Sequence, residues 1–346
     1  MTSGNFFPFR STTQRKILSA LVATGIFACL GGVTTLASGR PLELGLTNAA
    51  LIGLAVGLLE EFYVQSHQGN WLRNMHPLLS IPVYVAIIFV FYLALAHITR
   101  FLFGRLDDLP TLYRRLPYVL IFFTMYSVVG VLTMRIVHFI GLENLFHLMV
   151  GTYHRPIQER KILLFLDINE STALGERLGA LSMRSLVGKF LVDVSQPVTD
   201  NGGEIYLYKG DGLIAVWSWS AATKGDVILK TVDEMFNAIE RKRDGYEKLF
   251  GAVPNFRIGI HGGDVVVSEQ GDTKRSIGIY GDPINIAARM EDAARAHGVR
   301  CVLSGVVADA LANRDHIHEI GEEAAKGIST AVRVCEYRPR ALIDSG

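Results

Sequence analysis

Two aspartates stand at the ends of apolar runs. Asp167 lies near the end of the run 161–168, and Asp211 sits in the turn Lys209-Gly210-Asp211-Gly212 between the runs 204–208 and 213–217. Apolar runs of that length joined by a glycine-flanked turn read as strands of a hairpin. A carboxylate at the edge of an apolar strand is costly unless a cation accompanies it. If the strand ending at Asp167 lies beside the hairpin carrying Asp211, the two carboxylates converge and repel one another unless a divalent metal sits between them. Magnesium is held in this way, by one or two carboxylates plus substrate phosphates, so the pair suggests a metal–triphosphate site. Taken singly, each aspartate also has a plainer reading, Asp167 as a helix N-cap and Asp211 as an ordinary turn residue. Asn169, Glu170, Ser171 and Thr172 follow the first aspartate directly. They place backbone amides and two hydroxyls at a helix N-terminus, where phosphate oxygens bind readily.

Four segments, in order and spacing, resemble the motifs of class III adenylate and guanylate cyclases. They are Leu164-Phe165-Leu166-Asp167-Ile168-Asn169-Glu170-Ser171-Thr172, Gly210-Asp211-Gly212, Gly281-Asp282-Pro283-Ile284-Asn285-Ile286-Ala287-Ala288-Arg289 and Lys326-Gly327-Ile328. The likeness covers most of the chain after about Glu159. It implies a ferredoxin-like α+β catalytic domain with helices covering one face of its sheet. It also implies that Asp167, Asp211 and the carbonyl of Ile168 hold two Mg²⁺ or Mn²⁺ ions per site. Asn285 and Arg289 match the pair that positions the ribose and stabilises charge on the α-phosphate, and Lys326 matches a lysine on the terminal phosphates. Asn285 and Arg289 are four residues apart, so a helix puts both on one face. In the family the site lies between two catalytic domains, so a single domain per chain implies a homodimer.

Base selection departs from the pattern. Adenylate cyclases of this family carry a lysine four residues before the second aspartate, and Asp or Thr five residues before the glycine of the Asn/Arg motif; guanylate cyclases carry Glu and Cys. Here those positions hold Leu207 and Ser276, with Lys209 as a possible substitute contact. ATP is expected by analogy with membrane-anchored relatives, with GTP as the alternative substrate. A catalytically silent nucleotide-binding signalling module is the other alternative. A diguanylate cyclase is disfavoured because Gly262-Gly263-Asp264 continues with Val265 and Val266.

The elements that must position these residues are legible as alternating patterns after Lys161. A strand over 161–168 is followed by a helical pattern through Val198, the hairpin strands, and a long helix over about 224–250. Strands near 256–260, 265–267 and 275–280 and a helix over about 283–296 complete the expectation.

The first part of the chain is of another kind. Across 346 residues the hydrophobic fraction is 49%, and the mean hydropathy is +0.28. Apolar stretches at 17–38, 46–59, 77–103 and 116–140 read as an all-α transmembrane region of about four helices, the second being the weakest. Arg10, Arg15 and Lys16 precede the first stretch, which puts the N-terminus and the catalytic domain in the cytoplasm of a multi-pass inner-membrane protein. Arg100, Arg105, Arg114 and Arg115 run against that orientation. Domain bounds follow as 1–141 for the membrane region, 142–158 for a coupling helix and 159–346 for the catalytic domain. Glu60 and Glu61 read as interfacial. His76, His97 and His138 fall near span ends, where interfacial placement is simpler than haem ligation. Partners implied are the nucleoside triphosphate, a second copy of the chain and the lipid bilayer. A formal net charge of +1 gives no footing for nucleic acid.

Overall fold

Strands whose apolar residues alternate need cover on one or both faces, and the second half of the chain supplies it on both. The computed structural model describes residues 12–37, 42–64, 69–73, 75–102, isolated positions between 113 and 132, 151–272, 276–323 and 331–340. The chain divides into two compact units, Thr13–Gly151 and one that includes Thr152–Gly346.

In the second unit β1 (Ile157–Ile168), β2 (Glu204–Lys209), β3 (Gly212–Ser218), β4 (Phe256–Gln270), β5 (Ser276–Tyr280), β6 (Cys301–Ser304), β7 (Ile317–Glu323) and β8 (Val332–Tyr337) form one sheet. Its order is β2-β3-β1-β4-β6-β8-β7, with β5 paired to β4. Between the strands run α4 (Ser171–Leu178), α5 (Ala180–Asp200), α6 (Val227–Arg241), α7 (Arg243–Phe250) and α8 (Asp282–Ala296), the labels α1 to α3 belonging to the first unit. This is the expected mixed α+β fold.

The even residues of β1, Ile162, Leu164, Leu166 and Ile168, pack in one core with Leu186, Phe190 and Val194 of α5 and Ile228, Val232 and Met235 of α6. Those helix positions recur at the spacing of a single apolar stripe. Phe256 on β4 stacks on Phe236 with ring centroids 4.4 Å apart. Each fully buried side chain of this size contributes roughly 1.5–3 kcal/mol.

The odd residues face the other way, and here the expected one-sided cover is corrected. Leu163 and Phe165 pack with Val216, Val265, Val267 and Ala287. Val302 of β6 meets Ile286 and Met290 of α8, while its neighbours Cys301 and Leu303 belong to the α5–α6 side. Because successive strand residues point to opposite faces, α8 covers the face opposite α5 and α6. It lies directly on β4: a Cβ at Gly259 would come within 2.1 Å of the Glu291 backbone nitrogen.

Several boundaries differ from the sequence reading. β1 begins at Ile157, four residues early, because it pairs with β4 as far as Ile157 opposite Val267. The expected pair of strands at 256–260 and 265–267 is one strand of 15 residues, Gly262 and Gly263 being accommodated within it. The long helix expected over 224–250 is broken at Lys242 into α6 and α7.

In the first unit, α1 (Thr12–Ala37), α2 (Leu42–Leu58) and α3 (Pro77–Leu102) are helical. Among the described residues one helix is long and apolar enough to cross a membrane, through the window Lys16–Val33 of α1, and the part Leu79–Ala94 of α3 is a shorter apolar stretch. The expected set of four spans is therefore reduced to one candidate, and most of the fourth stretch, 116–140, lies outside the described residues, as do 142–150 of the coupling helix and His138. Phe27, Ile52, Val56 and Ile88 join the three helices in a small core. Glu60 and Glu61 fall in a π-helical turn, Leu59–Val64, and are buried. The Tyr84 hydroxyl donates to Glu60 Oε2. His97 engages both ring nitrogens, Nδ1 with the Leu93 carbonyl at 2.7 Å and Nε2 with the Tyr113 hydroxyl at 3.0 Å.

Candidate active site

Asp167 is the penultimate residue of β1, on the face shared with Leu163 and Phe165. Its register partner on β4 is Arg257. On its other side β1 pairs with β3, the last partners being Leu166 and Leu213, which brings the β2–β3 turn alongside Asp167. That turn is a two-residue hairpin, with Lys209 paired to Gly212 and Gly210 at φ 64°, a left-handed conformation that glycine takes without steric cost. Gly212 has no room for a side chain: a Cβ there would lie 2.1 Å from the Leu166 carbonyl oxygen and 3.0 Å from Asp167 Oδ1. The convergence expected from the two apolar runs is therefore present.

The electrostatics fit that closeness. Partial burial, first, and then the negative charges of Asp211 and Glu291 push the Asp167 carboxyl up to about 6, against the opposing pull of Arg295 and Arg257. Asp211 Oδ2 and Asn169 Oδ1 are buried without a hydrogen-bond partner. Orphaned buried acceptors are uncommon and mark places where a missing donor or ion belongs. Two adjacent carboxylates, one with an unpartnered oxygen, suit a hard divalent cation whose remaining ligands are phosphates and water. Among the described residues no cluster of three or more His, Cys, Asp or Glu side chains suits a metal; a cation held between these two strands would draw on Asp167, Asp211 and main-chain oxygen such as that of Ile168.

Past Asp167 the chain turns sharply. Asn169 N–H donates to the Asn255 carbonyl at 2.7 Å, and Glu170 adopts φ 52°, an uncommon conformation for a side chain-bearing residue. Ser171 opens α4, and no side chain caps its first turn. The first amides of a helix have no partner within it and can meet an anion. Glu170, not Asp167, holds the N-cap position, which removes the plainer reading of Asp167.

Asn285 and Arg289 lie on α8, Asn285 exposed and Arg289 partly so. Lys326 lies outside the described residues. Leu207 and Lys209 on β2 are exposed, as is Ser276 on β5. Their strands are tied together where the Ile279 amide donates to the Tyr206 hydroxyl at 3.2 Å. Ser276 Oγ accepts from Gln270 Nε2 at 3.3 Å. Sequence reasoning missed Glu291, Arg295 and Arg257, three charged residues gathered around Asp167. The i, i+4 spacing of Glu291 and Arg295 just after Arg289 was the available signal.

A family model described as the adenylate and guanylate cyclase catalytic domain matches residues 154–332. The chain belongs to that family. This cyclase-family chain is 29% identical over 218 residues to "Adenylate cyclase 2" of Rhizobium meliloti (strain 1021), covering 62% of itself and 60% of that relative. It is 26% identical over 178 residues to "Adenylate cyclase 1" of the same strain, covering 50% of itself and 26% of the relative. It thus spans less than two thirds of each of these curated relatives. Among solved structures, the adenylyl cyclase CyaB from P. aeruginosa is similar at 22% identity with a TM-score of 0.46, over 53% of this chain and 96% of that one. A bacterial light-regulated adenylyl cyclase is similar at 21% identity with a TM-score of 0.48, over 54% of this chain and 53% of that one.

Proposed function

We propose that the chain converts ATP to 3′,5′-cyclic AMP and pyrophosphate, as a membrane-held homodimer whose sites are shared between two copies. The observation that carries this reading is the Asp167–Asp211 pair, with Asp211 Oδ2 buried and unpartnered beside an uncapped helix N-terminus. The relatives' names as adenylate cyclases support ATP over GTP. Asp167, Asp211 and the Ile168 carbonyl would hold Mg²⁺ or Mn²⁺. Such ions, when bound, supply Lewis-acid charge that lowers the pKa of the ribose 3′-hydroxyl and offsets charge on the leaving group.

The chain's own residues do the rest by positioning and charge. The amides opening α4, with Ser171 and Thr172, hold phosphate oxygens. Asn285 of a second copy orients the ribose so that its 3′-oxygen lies in line with the bond to be broken, and Arg289 of that copy meets the charge gathering on the α-phosphate. Lys326 binds the terminal phosphates. The 3′-oxygen bonds to the α-phosphorus, the bond from that phosphorus to the bridging oxygen breaks, pyrophosphate leaves with the electron pair, and the hydroxyl proton passes to solvent. Leu207 and Ser276 line the base, with Lys209 near them. The candidate span in α1 supports membrane attachment, and the cytoplasm-facing placement of the second unit is part of this proposal.

The test is a product assay on purified full-length protein in detergent, with ATP and GTP side by side in Mg²⁺ or Mn²⁺ and the product identified by mass. Cyclic AMP formed in excess of cyclic GMP is the expected result. Cyclic GMP in excess would reassign the base, and no cyclic nucleotide from either would leave a silent signalling module.

A further inference from the structure

Asp167 has cationic company supplied by its own chain. Arg295, in the last turn of α8, brings Nη2 to 3.7 Å from Asp167 Oδ2 and to 3.8 Å from Glu291 Oε1. Arg257 holds that same Glu291 oxygen from its Nε at 3.2 Å. Glu291 is thus fixed between two guanidiniums, its side chain only 13% exposed, whereas the Arg295 side chain is 57% exposed. The tether on Glu291 keeps the Arg295 guanidinium close to Asp167, while open water on its outer side lets it move away.

The two oxygens of Asp167 have different surroundings. Oδ1 lies toward Gly212 and the turn that carries Asp211, since a Cβ at Gly212 would sit 3.0 Å from it. Oδ2 is the one facing Arg295. A cation is therefore already present on one side of the carboxylate pair before any ion arrives on the other.

We propose that Arg295 is a built-in counter-cation of the Asp167–Asp211 site, neutralising Asp167 while no divalent ion is bound and so weakening metal binding. This rests on the reading of Asp167 and Asp211 as metal ligands. The physical ground is repulsion. A guanidinium within about 6 Å of a divalent ion in a mostly aqueous setting opposes its binding by roughly three- to tenfold. The opposition is relieved when nucleotide phosphates enter with the metal and give the guanidinium a new anionic partner. Arg295 thereby makes the empty site a poor trap for free cations and favours the metal that arrives on its nucleotide.

The test measures Mn²⁺ binding to the nucleotide-free full-length protein in detergent by the electron-spin signal of unbound Mn²⁺. Wild type is compared with Arg295→Gln, Arg295→Lys, Asp167→Asn and Asp211→Asn at low and high salt. Arg295→Gln is expected to bind Mn²⁺ about three- to tenfold tighter at low salt, with the gap closing at high salt as screening removes the repulsion. Arg295→Lys should stay near wild type, a rescue that a purely structural arginine would not produce. In the Asp167→Asn background Arg295→Gln should have no further effect. Should Arg295→Gln bind no tighter while Asp167→Asn abolishes binding, the counter-cation idea fails and the metal site stands. Should neither Asp167→Asn nor Asp211→Asn alter Mn²⁺ binding, the metal reading fails and takes this inference with it.

Discussion

The second unit places carboxylates on both faces of its sheet, Asp193 buried and Asp167 half-buried, and they are treated in opposite ways. Asp193, on the α5 side, accepts from Lys189 at 2.8 Å, Lys242 at 2.6 Å and the Tyr246 hydroxyl at 2.7 Å. Burial alone would raise its pKa, yet the hydrogen bonds from Lys189, Lys242 and Tyr246 outweigh burial and hold the carboxyl below its usual range. On the α8 side burial prevails, and Asp167 is pushed up to about 6 with Asp211 as a like-charged neighbour. The first acid is closed and serves the fold. In the second pair Asp211 Oδ2 keeps no hydrogen-bond partner, and the two arginines near Asp167 do not outweigh burial and the neighbouring acids.

Removing an acid from each face separates the two roles most sharply. Asp211→Asn should reduce cyclase turnover by roughly 10³-fold, the several kcal/mol a metal contributes to charge stabilisation, while leaving hydrogen-exchange protection of α5 and α6 intact. A loss of protection on the scale of the activity loss would erase the distinction. Asp193→Ala should do the reverse and cost about 3 kcal/mol of exchange protection, because Lys189, Lys242 and Tyr246 lose a shared partner. Its turnover per folded molecule should stay near wild type.

The smallest effect concerns a third buried ionisable group, satisfied by a hydroxyl rather than by charge. His261 Nδ1 meets Ser304 Oγ at 2.7 Å, and burial pushes the imidazole down to about 4. In the unfolded chain it titrates near 6.5. Between those values the unfolded chain takes up a proton that the folded chain refuses, so stability is full above about 6.5 and is lost as pH falls toward 4. Thermal unfolding followed from pH 7 to 4 should show a loss of about 2 kcal/mol from this source, absent in His261→Gln. An unchanged slope in that variant would place the acid sensitivity elsewhere.

Much of this was legible before any coordinates. The meeting of Asp167 and Asp211 was expected on the condition that their strands were neighbours, an adjacency implied by the resemblance to the cyclases, and the helix bearing Asn285 and Arg289 starts one residue before its expected position. What escaped depended on tertiary packing. Gly262-Gly263 looked like a break, yet it lies inside β4, where small residues admit neighbouring side chains: a Cβ at Gly262 would meet Trp219 at 2.7 Å and one at Gly263 would meet Pro283 at 2.8 Å. The side of the sheet chosen by α8 could not be read from its own periodicity, since Gly259 on another element makes the seat. The burial of Glu60 and Glu61 could not be read from the sequence, because it depends on a helix distant in the chain. The sequence does not single out Arg295 as a neighbour of Asp167, because its place there depends on how α8 packs on the sheet.

The β1–β4 ladder carries one more implication. It runs unbroken from Ile157 opposite Val267 to Ile168 opposite Phe256, a stretch of roughly 40 Å at the usual rise per residue. Ile157 stands five residues past Thr152, where the unit begins, and Asp167 stands at the far end. Asp167 is therefore joined to that entry by one continuous hydrogen-bonded strand, with no loop in between.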